Sequence, residues 1–388
     1  MNVDGVVSRY KSELLDSVVP FWENNCVDRD FGGYFSLLDR KGEPYGTDKY
    51  MWMQWRIVYM FATMYMTEYS RPEWLEIAKG GFDFLTRHGK KPDGGYYFAL
   101  NREGLPLQED CGQYTIFSES FVAVGSAALF RVSGDERHKA EAVAAANIFK
   151  RNIERSAKPK LAGQVKRRAL GHYMILINLS YVLNECFNTN KYDCDIETSI
   201  EYVRKFWNEE LGIMFENINI DGSFDLESCD GRLVNPGHAL EAMWFIMQHA
   251  EKKNNSSLIS EICALTGKIL EYGWDTEFGG ICYFKDALGK PLLEPKTCLK
   301  IWWANNEAAI AALYAFKLSG DSRFYDWFLK IDEWNWNSFR DPEYGEWFAY
   351  TDRSGKPCHF FKGSNWKTFF HLPRYLLNSI QLLEAVNK

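Results

Sequence analysis

A glycine-centred motif that recurs along the chain constrains its fold more than any other sequence feature. Each copy reads as a turn, a short alternating strand, a glycine turn and a second short strand, which is typical of a β-hairpin. The five copies are DRDFGGYFSLLDRKGEPY from Asp28, KPDGGYYFALNREGLPL from Lys91, NEELGIMFENINIDGSFD from Asn208, DTEFGGICYFKDALGKPL from Asp275 and DPEYGEWFAYTDRSGKPC from Asp341. Self-similarity at a fixed period predicts a repeat architecture.

The spacing of the copies gives the number of units. The motif glycines are Gly33, Gly95, Gly212, Gly280 and Gly345. They are 62, 117, 68 and 65 residues apart in turn, so one interval is about twice the others. We therefore expect a missing or degraded copy near residues 155–170. Six units of this length nearly fill the 388 residues.

Helical patterns fill the intervals between the motifs. Apolar residues recur at three- and four-residue spacing in YMWMQWRIVYMFATMYMTEY from Tyr50 and in IWWANNEAAIAALYAFKLSGD from Ile301. Each interval has room for two helices. The sequence thus predicts an all-α (α/α)6 barrel of about twelve helices with short β-hairpins at one rim. The alternative, an open solenoid, needs polar capping units that the sequence lacks. No linker divides the chain, so we expect residues 1–388 to form a single domain.

Composition and charge exclude several classes of partner. The formal net charge of −7 argues against binding to a phosphate backbone, so no nucleic acid is expected. The one basic run, KPKLAGQVKRRALGH, is interpreted as a solvated loop. No apolar run reaches about 18 residues and the N-terminal segment is charged throughout, so neither a membrane span nor a leader is expected. The nine cysteines lack CxxC spacing, which favours reduced thiols and a cytoplasmic location.

Other sequence signals point away from cofactors and towards carbohydrate. The motifs HExxH, GxxxxGK[ST], GxSxG and a strand-linked GxGxxG are absent from the sequence. His and Cys show no metal-ligand spacing, so no metal site is predicted. Aromatic residues make up 16% of the chain, and their faces are good platforms for sugar rings.

His238, in the segment NPGHALEAMWFI, is the first candidate for catalysis. Asn235 is a good N-cap and Pro236 suits the first helical position, so His238 would be near the third position. The helix dipole disfavours a positive imidazole there, and we expect His238 to stay neutral and able to accept a proton. Glu241, three residues on, shares its face. A helix-start histidine with a carboxylate partner is the alternative without function.

His371 and Arg374, in the segment FFHLPRYLL, form the second candidate group. Pro373 disfavours helical geometry at Leu372, which places His371 on the loop just before a helix. Arg374 would be in the first helical turn, where the dipole does not favour a cation, and this suggests a partner anion. A surface arginine is the alternative.

The remaining histidines divide into two groups. His172, in LGHYMILINL, is on an otherwise apolar helix and is expected to be a core residue. The others lie among polar or turn residues and are interpreted as surface residues. They are His88, His138, His249 and His359.

Two further features involve aromatic surroundings. Arg56 stands among aromatic and aliphatic residues, and a buried arginine needs an anion or several acceptors. Trp302 and Trp303 precede Glu307. Because successive helical side chains point about 100° apart, one indole would face the barrel interior while the other packs outward.

Taken together, several motifs resemble the N-acylglucosamine 2-epimerase family. The segments are KYMWMQWR, TIFSESF, GRLVNPGHALEAMWFI, KIWWANNEAAIA, FRDPEYGEWFAY and KTFFHLPRYL. They run in order from about Phe21 to the C-terminus. The resemblance implies an (α/α)6 barrel and the interconversion of N-acetylglucosamine and N-acetylmannosamine.

The resemblance also implies roles for particular residues. The two acid/base catalysts would be His238 and His371, with Arg56 as the active-site arginine. The implied substrate-binding residues are His172, Glu241, Trp244, Trp302, Glu307, Trp52 and Arg374. Two imidazoles suit the reaction because one takes the C2 proton from one face while the other returns a proton on the opposite face. Arg56 would stabilise the oxyanion of the enediolate-like intermediate.

The resemblance implies no required cofactor, leaves ATP open as an allosteric activator and leaves a homodimer open. Three positions differ from acetamido-sugar epimerases: Ile57 follows the arginine, Asn305 lies in the tryptophan motif, and His172 replaces an apolar residue. They keep a neutral-sugar 2-epimerase, for cellobiose or mannose, or an aldose–ketose isomerase open as the alternative. An inverting glycosidase, which needs two spaced carboxylates, and a non-catalytic binding protein are further alternatives.

Overall fold

Long apolar helices alternate with amphipathic helices along the chain. The computed structural model describes residues 3–153 and 165–387. The helices are α1 (Val3–Ser12), α2 (Val19–Asn25), α3 (Met51–Tyr65), α4 (Pro72–His88), α5 (Ile116–Ser133), α6 (Glu136–Asn152), α7 (Leu170–Phe187), α8 (Asp193–Arg204), α9 (Pro236–Lys252), α10 (Ser256–Gly273), α11 (Trp302–Ser319), α12 (Ser322–Ser338) and α13 (His371–Val386). A π-helix, Glu13–Val18, joins α1 to α2 and makes them one outer element.

The helices form two concentric rings. The odd-numbered helices from α3 to α13 form the inner ring, where neighbours pack side by side, and each packs against an outer helix. Inner helices are buried on almost every face; in α11, for example, Trp302 to Ala315 are all buried. Outer helices such as α4 bury one stripe only. A helix that is apolar all round must lie between two layers, so the (α/α)6 barrel predicted from the repeat is confirmed.

Short strands connect the units at one rim. They are β1 (Leu37–Leu38), β2 (Pro44–Gly46), β3 (Lys49–Tyr50), β4 (Ala99–Leu100), β5 (Pro106–Gln108), β6 (Arg167–Ala169), β7 (Trp207–Asn208), β8 (Ile213–Met214), β9 (Asn217–Asn219), β10 (Leu233–Val234), β11 (Lys285–Asp286), β12 (Lys300–Ile301) and β13 (Tyr350–Thr351). The antiparallel pairs are β1–β2, β3–β4, β4–β5, β6–β9, β7–β8, β10–β11 and β12–β13. A strand that leads into an inner helix therefore pairs with the hairpin of the next unit.

Ion triads, each with a buried aspartate and lysine and a more exposed arginine, fasten neighbouring units. In each triad an aspartate at the start of one hairpin binds a lysine of the same unit and an arginine of the next hairpin. The triads are Asp28–Lys49–Arg102, Asp275–Lys300–Arg353 and Asp341–Lys362–Arg40. The third joins the last hairpin to the first, since Arg40 Nε is 2.7 Å from Asp341 Oδ2. This contact closes the ring and excludes the open solenoid.

The N-terminal helix packs beside the C-terminal helix and strengthens the closure. The Tyr10 hydroxyl donates to Asp332 Oδ1 at 2.5 Å and also bonds to the Tyr375 hydroxyl of α13. Trp22 Nε1 donates to Glu346 Oε2 at 2.6 Å. Both contacts are buried, so the first and last units share one apolar core.

Side chains on the fourth residue of three inner helices hold the hairpins in place. Gln54 of α3 accepts from the Tyr34 amide at 2.9 Å and donates to its carbonyl at 2.8 Å. Asn305 of α11 accepts from the Ile281 amide at 2.7 Å. In α5 the same place is taken by Glu119, whose carboxylate accepts from the Tyr96 amide at 3.1 Å. We call these three side chains the hairpin pins.

Of two expectations about the middle of the chain, one falls outside the described residues and the other is wrong. The predicted degraded copy near residues 155–170 falls largely on residues 154–164, which are outside the described residues. The basic run is not a solvated loop where it is described, because Arg167 lies in β6 and is 7% exposed. Its guanidinium binds Asp225 and Asp230, two carboxylates distant in sequence that the local pattern does not reveal.

One described helix, α5, is long and apolar enough by composition to cross a membrane, and 72% of it is buried inside the protein. Its apolar length follows from its place in the inner ring. None of the nine cysteines forms a disulfide, as expected from their spacing.

Candidate active site

The inner helices begin at the hairpin rim, and all the predicted site residues except Trp244, the ninth residue of α9, lie in their first two turns. His238 is the third residue of α9 and His371 is the first of α13. Arg56, Glu241 and Glu307 are each the sixth residue of their helices α3, α9 and α11. The barrel symmetry thus brings them to similar depths. The amino ends of the helices, which carry partial positive charge, surround this space.

His238 is held by a cap and a carboxylate. Asn235 caps α9, accepting from the His238 amide at 3.2 Å, as the sequence predicts. Glu216, between β8 and β9, lies 2.9 Å from His238 Nδ1. Burial lowers the pKa of His238, but the Glu216 carboxylate outweighs it and raises that pKa above 6.5. This direction is opposite to the one expected from the helix dipole, because the Glu216 carboxylate lies close to the imidazole.

His371 has a different environment. It begins α13 rather than preceding it, and Pro373 fits inside the helix because a first-turn amide needs no intrahelical acceptor. His371 Nδ1 is 2.8 Å from Glu307 Oε1. Burial, and then the nearby Arg374, lower the pKa of His371 well below 6.5. This imidazole is neutral at pH 7, and Nδ1–H donation to Glu307 leaves Nε2 as a proton acceptor.

Arg374 lies between two buried carboxylates. Its Nη2 donates to Glu307 Oε1 at 2.7 Å and to Glu241 Oε1. The partner anion expected from its helical position is therefore present. Glu241 holds Arg374 and not His238, which corrects the expectation from helical spacing. Trp244 Nε1 donates to the second oxygen of Glu307 at 2.8 Å and fixes that carboxylate.

The carboxylate cluster resembles a metal site in geometry. Ligand atoms of Glu241, Glu307 and His371 lie within 4.8 Å of one another. Arg374 already binds both carboxylates, so a guanidinium supplies the positive charge they need. The absence of a bound metal stays a prediction.

Arg56 contacts aromatic rings. Its guanidinium carbon is 4.1 Å from the Phe121 ring centre, 5.0 Å from that of Phe370 and 5.5 Å from that of Trp52. Within the described chain, its buried Nε has no hydrogen-bond partner. Burial lowers the pKa of Arg56 to about 9, and the group remains charged at pH 7. A charged donor without an anion is suited to a substrate oxygen that becomes negative.

Indole rings bound the space around the histidines. The Trp303 ring centre is 5.0 Å from that of His238 and 5.7 Å from that of His371. Trp302, which the sequence favours, lies behind His371 at 6.2 Å and is 1% exposed. Trp52 packs beside Arg56. Trp303 is therefore the indole shared by both imidazoles.

His172 lies on the neighbouring inner helix. It is buried, as expected of a core residue, and its ring centre is 5.7 Å from that of Phe117. Burial lowers the pKa of His172 to about 4, so the ring is neutral at pH 7. A side chain at Gly171 would begin 3.9 Å from the His238 ring, which places this turn of α7 beside His238.

The surface interpretation holds for two of the four other histidines. His88 is partly buried and His359 is exposed. His138 and His249 are each 3% exposed, so the prediction is wrong for them. His138 packs on Phe82, with ring centres 4.3 Å apart, and bonds to Ser133. Packing between helices determines their burial, and polar neighbours in sequence do not reveal it.

Sequence reasoning missed Glu216 and gave Trp303 too little weight. Glu216 follows the phenylalanine of its motif, a place taken by Ser36, Ala99 and Ala349 in other copies. A carboxylate where three other units have a small residue, and the fourth has Lys285, is the signal that could have identified it. Of the three positions that differ from acetamido-sugar epimerases, Ile57 is buried in the core and Asn305 is a hairpin pin.

Comparison with known proteins agrees with this architecture. The family model of N-acylglucosamine 2-epimerase (GlcNAc 2-epimerase) matches residues 33–373. An N-acylglucosamine 2-epimerase of Mus musculus is 34% identical, covering 96% of this chain and 90% of that protein. A cellobiose 2-epimerase of Dictyoglomus turgidum is 23% identical over 98% of this chain and 100% of that protein.

A solved structure has the same fold. The cellobiose 2-epimerase from Spirochaeta thermophila superimposes with a TM-score of 0.86 at 19% identity, covering 100% of this chain and 98% of that one. The family expected from the sequence motifs is thereby confirmed. The chain belongs to the N-acylglucosamine 2-epimerase family of isomerases.

Proposed function

We propose that this protein interconverts N-acetyl-D-glucosamine and N-acetyl-D-mannosamine by moving the proton at C2. One observation carries the proposal: two histidines contact the same indole, and two different carboxylates bind them. Their environments shift the pKa of His238 up and that of His371 down. Pairs of titratable groups with opposed pKa shifts mark an acid and a base.

The first step removes the C2 proton of the open-chain sugar. The C1 aldehyde acidifies C2–H, and neutral His371 takes the proton through Nε2. The C–H electron pair forms the C1–C2 double bond, and the carbonyl electrons move to the C1 oxygen. Glu307 keeps the imidazole in the tautomer with hydrogen on Nδ1 and stabilises the imidazolium that forms.

The second step returns a proton to the opposite face. Protonated His238 donates from Nε2 to C2, the C1 carbonyl is restored, and the other epimer results. Glu216 stabilises the charged form of His238 and so keeps it a donor near neutral pH. In the reverse direction the two histidines exchange roles, as microscopic reversibility requires.

Arg56 is the proposed donor to the oxyanion. It is charged, it is close to Phe370, which immediately precedes His371, and its Nε is buried and unbonded within the described residues. The amino ends of the inner helices add a positive potential around the same space. Arg56 and the helix ends are already in position before the reaction, so they need no rearrangement when the negative charge develops.

The acetamido substrate is supported by the greater identity to the relative named for N-acylglucosamine. The positions of Ile57 and Asn305 remove two of three arguments for a neutral sugar, since neither is placed to select the C2 substituent. His172 is the observation that favours the second candidate, a neutral-sugar 2-epimerase or aldose–ketose isomerase. The polar edge of a neutral imidazole would suit a C2 hydroxyl.

The test is proton NMR in D₂O with purified protein and four sugars in parallel: N-acetylmannosamine, mannose, glucose and cellobiose. We expect N-acetylmannosamine to yield N-acetylglucosamine with deuterium at C2. Reaction of neutral sugars alone would replace the first candidate by the second. A ketose product would change the assignment from epimerase to isomerase.

Single histidine variants test the two-base mechanism. We expect His238→Ala and His371→Ala to lose epimerisation while their circular dichroism stays unchanged. Each variant should still exchange the C2 hydrogen of one epimer through its remaining base, and the two variants should favour opposite epimers. Normal turnover in either variant, or the same epimer exchanged by both, would refute the assignment.

The remaining expectations belong to this proposal. We propose one catalytic domain spanning residues 1–388, without a required cofactor, in the cytoplasm. The family resemblance leaves ATP as an allosteric activator and a homodimer open. The loop around Gly163, whose sequence differs from ATP-activated relatives, is outside the described residues. Rates with and without ATP, and sedimentation velocity, test these two points.

A further inference from the structure

Substrate size varies within this fold. Relatives are named for an N-acyl monosaccharide and for the disaccharide cellobiose, and the same barrel serves both. We call His238, His371 and Arg56 the catalytic floor of the site. These residues therefore do not determine how many sugar rings enter. The side chains at the mouth above that floor must do so.

A short turn lies at this mouth. It consists of Glu294 and the 3-10 helix Pro295–Cys298, and we call it the mouth turn. The Lys296 ammonium is 5.0 Å from the Trp366 ring centre and 5.7 Å from that of Tyr350. Among the residues that the structure describes, it has no acidic partner within salt-bridge distance. Two aromatic faces therefore hold this cation.

The first aromatic contact leads down to His371. The Tyr350 ring packs edge-on against Trp302, with ring centres 6.0 Å apart. Trp302 in turn packs edge-on against His371 at 6.2 Å. Lys296 is thus connected to His371 through two rings, Tyr350 and Trp302, the second of which packs behind this histidine.

The second aromatic contact leads down to Arg56. The Trp366 ring packs against Trp52, with ring centres 5.1 Å apart, and Trp52 is 5.5 Å from the Arg56 guanidinium. Tyr114 packs on both indoles, at 5.2 Å and 5.9 Å. Lys296 therefore contacts two sets of rings, one that packs behind His371 and one that packs beside Arg56.

The Glu294 carboxylate, at the other end of the mouth turn, contributes to the raised pKa of two buried phenols, Tyr283 and Tyr350. Burial, two neighbouring phenols, Glu294 and Glu216 all contribute to the raised pKa of Tyr283. The Tyr283 ring packs against Trp303, the indole between the histidines, at 5.9 Å. Glu294 and Lys296 therefore both lie near Tyr350, and Glu294 also lies near the phenol that packs on Trp303.

We propose that the mouth turn, fastened by Lys296 to Trp366 and Tyr350, limits the site to a single sugar ring. The inference rests on the proposed sugar epimerisation. In this proposal, the two aromatic contacts of Lys296 hold the turn in the space that a second sugar ring would need. Releasing Lys296 frees the turn to move outward and uncovers Trp366 and Tyr350, which are suitable stacking platforms for another sugar.

The experiment compares the wild-type protein with Lys296→Ala, Lys296→Arg and the control Lys290→Ala. The control removes an exposed lysine that precedes the mouth turn on the same connection, eight residues before Cys298. Epimerisation of N-acetylmannosamine and of N,N′-diacetylchitobiose is measured for each. We expect Lys296→Ala to raise the disaccharide-to-monosaccharide ratio of kcat/KM about tenfold, which corresponds to about 1.4 kcal/mol. Lys296→Arg, which can stack on the same rings, should restore the wild-type ratio.

A second readout is binding of the disaccharide, followed by quenching of tryptophan fluorescence. If no variant epimerises any sugar but Lys296→Ala alone binds the disaccharide, the proposed function fails and the size limit stands. If the monosaccharide reacts and the ratio and binding are the same in all four proteins, the size limit fails and the function stands. Equal changes in Lys290→Ala and Lys296→Ala would also overturn it.

Discussion

Replacing Glu119 with glutamine is expected to stabilise this protein much more at pH 8 than at pH 5. Glu119 is the hairpin pin of α5 and is 3% exposed. The corresponding pin Gln54 both accepts from and donates to the Tyr34 backbone. A carboxylate can only accept, so Glu119 matches this arrangement when it is protonated.

The magnitude follows from the pKa. Burial raises the pKa of Glu119 from 4.5 to about 7, opposed by the Tyr96 amide and Lys91 and assisted by Asp93. Between these two values the folded state holds a proton that the unfolded state has lost, so stability falls as pH rises from about 4.5 to about 7. Above pH 7 the loss is complete. At about 1.4 kcal/mol per pKa unit it amounts to roughly 3 kcal/mol.

Thermal unfolding measured from pH 5 to pH 8 tests this reasoning. The unfolding entropy of a chain this long converts 3 kcal/mol to a difference of roughly 4 °C in Tm. We expect the difference in Tm between Glu119→Gln and wild type to grow from about a quarter of that value at pH 5 to the full value at pH 8. The converse variant Gln54→Glu should lose stability over a similar range. A difference that does not depend on pH, or a less stable Glu119→Gln protein at pH 8, would refute the argument.

Three further predictions concern ion pairs. Glu216→Gln should lower the pKa of His238 and so move the alkaline limb of the plot of kcat against pH down by about one pH unit. An unchanged alkaline limb would show that Glu216 does not control the pKa of His238. Arg374→Met should cost about 3–5 kcal/mol in thermal or denaturant unfolding because it leaves Glu241 and Glu307 buried without their cation, whereas the exposed Arg323→Met should have little effect. Burial raises the pKa of Asp28, but its two cations outweigh burial and lower that pKa to about 2. The ionised carboxylate therefore contributes roughly 2 kcal/mol to the free energy of unfolding, which should be present above pH 4 and lost as pH falls towards 2. In thermal unfolding, Asp28→Asn should be less stable than wild type at pH 7 and should lose less stability on acidification.

The repeat made the fold predictable from sequence. Glycines such as Gly33 and Gly280, with φ of 68° and 74°, tolerate backbone angles that other residues resist, and they mark the units by their spacing. Once the number of units and the two-helix interval were known, a closed ring was the arrangement that buried every apolar helix. The pairing of each strand with the next unit was not predicted, because it depends on contacts between units.

The sequence predicted most of the residues that form the candidate site, but it did not predict which of them bind one another. The cap of Asn235 on His238 is local, so the sequence shows it. The carboxylate on His238 comes from another unit, Glu216, and the nearby Glu241 serves Arg374 instead. Helical spacing identifies which side chains share a face, but partners across the barrel depend on how the units pack.

The ion triad Asp341–Lys362–Arg40 has a consequence for where the chain can begin. Since the last hairpin is fastened to the first as firmly as any other pair, the ring has no structural first unit. Asn387 already donates to Asp4 at 3.0 Å, so the two ends of the described chain are neighbours. A circular permutant that joins these ends by a short linker and opens the chain between an outer helix and its hairpin would keep all three triads and all six inner helices. In such a barrel the order of units along the gene is free to change while the order around the axis is preserved.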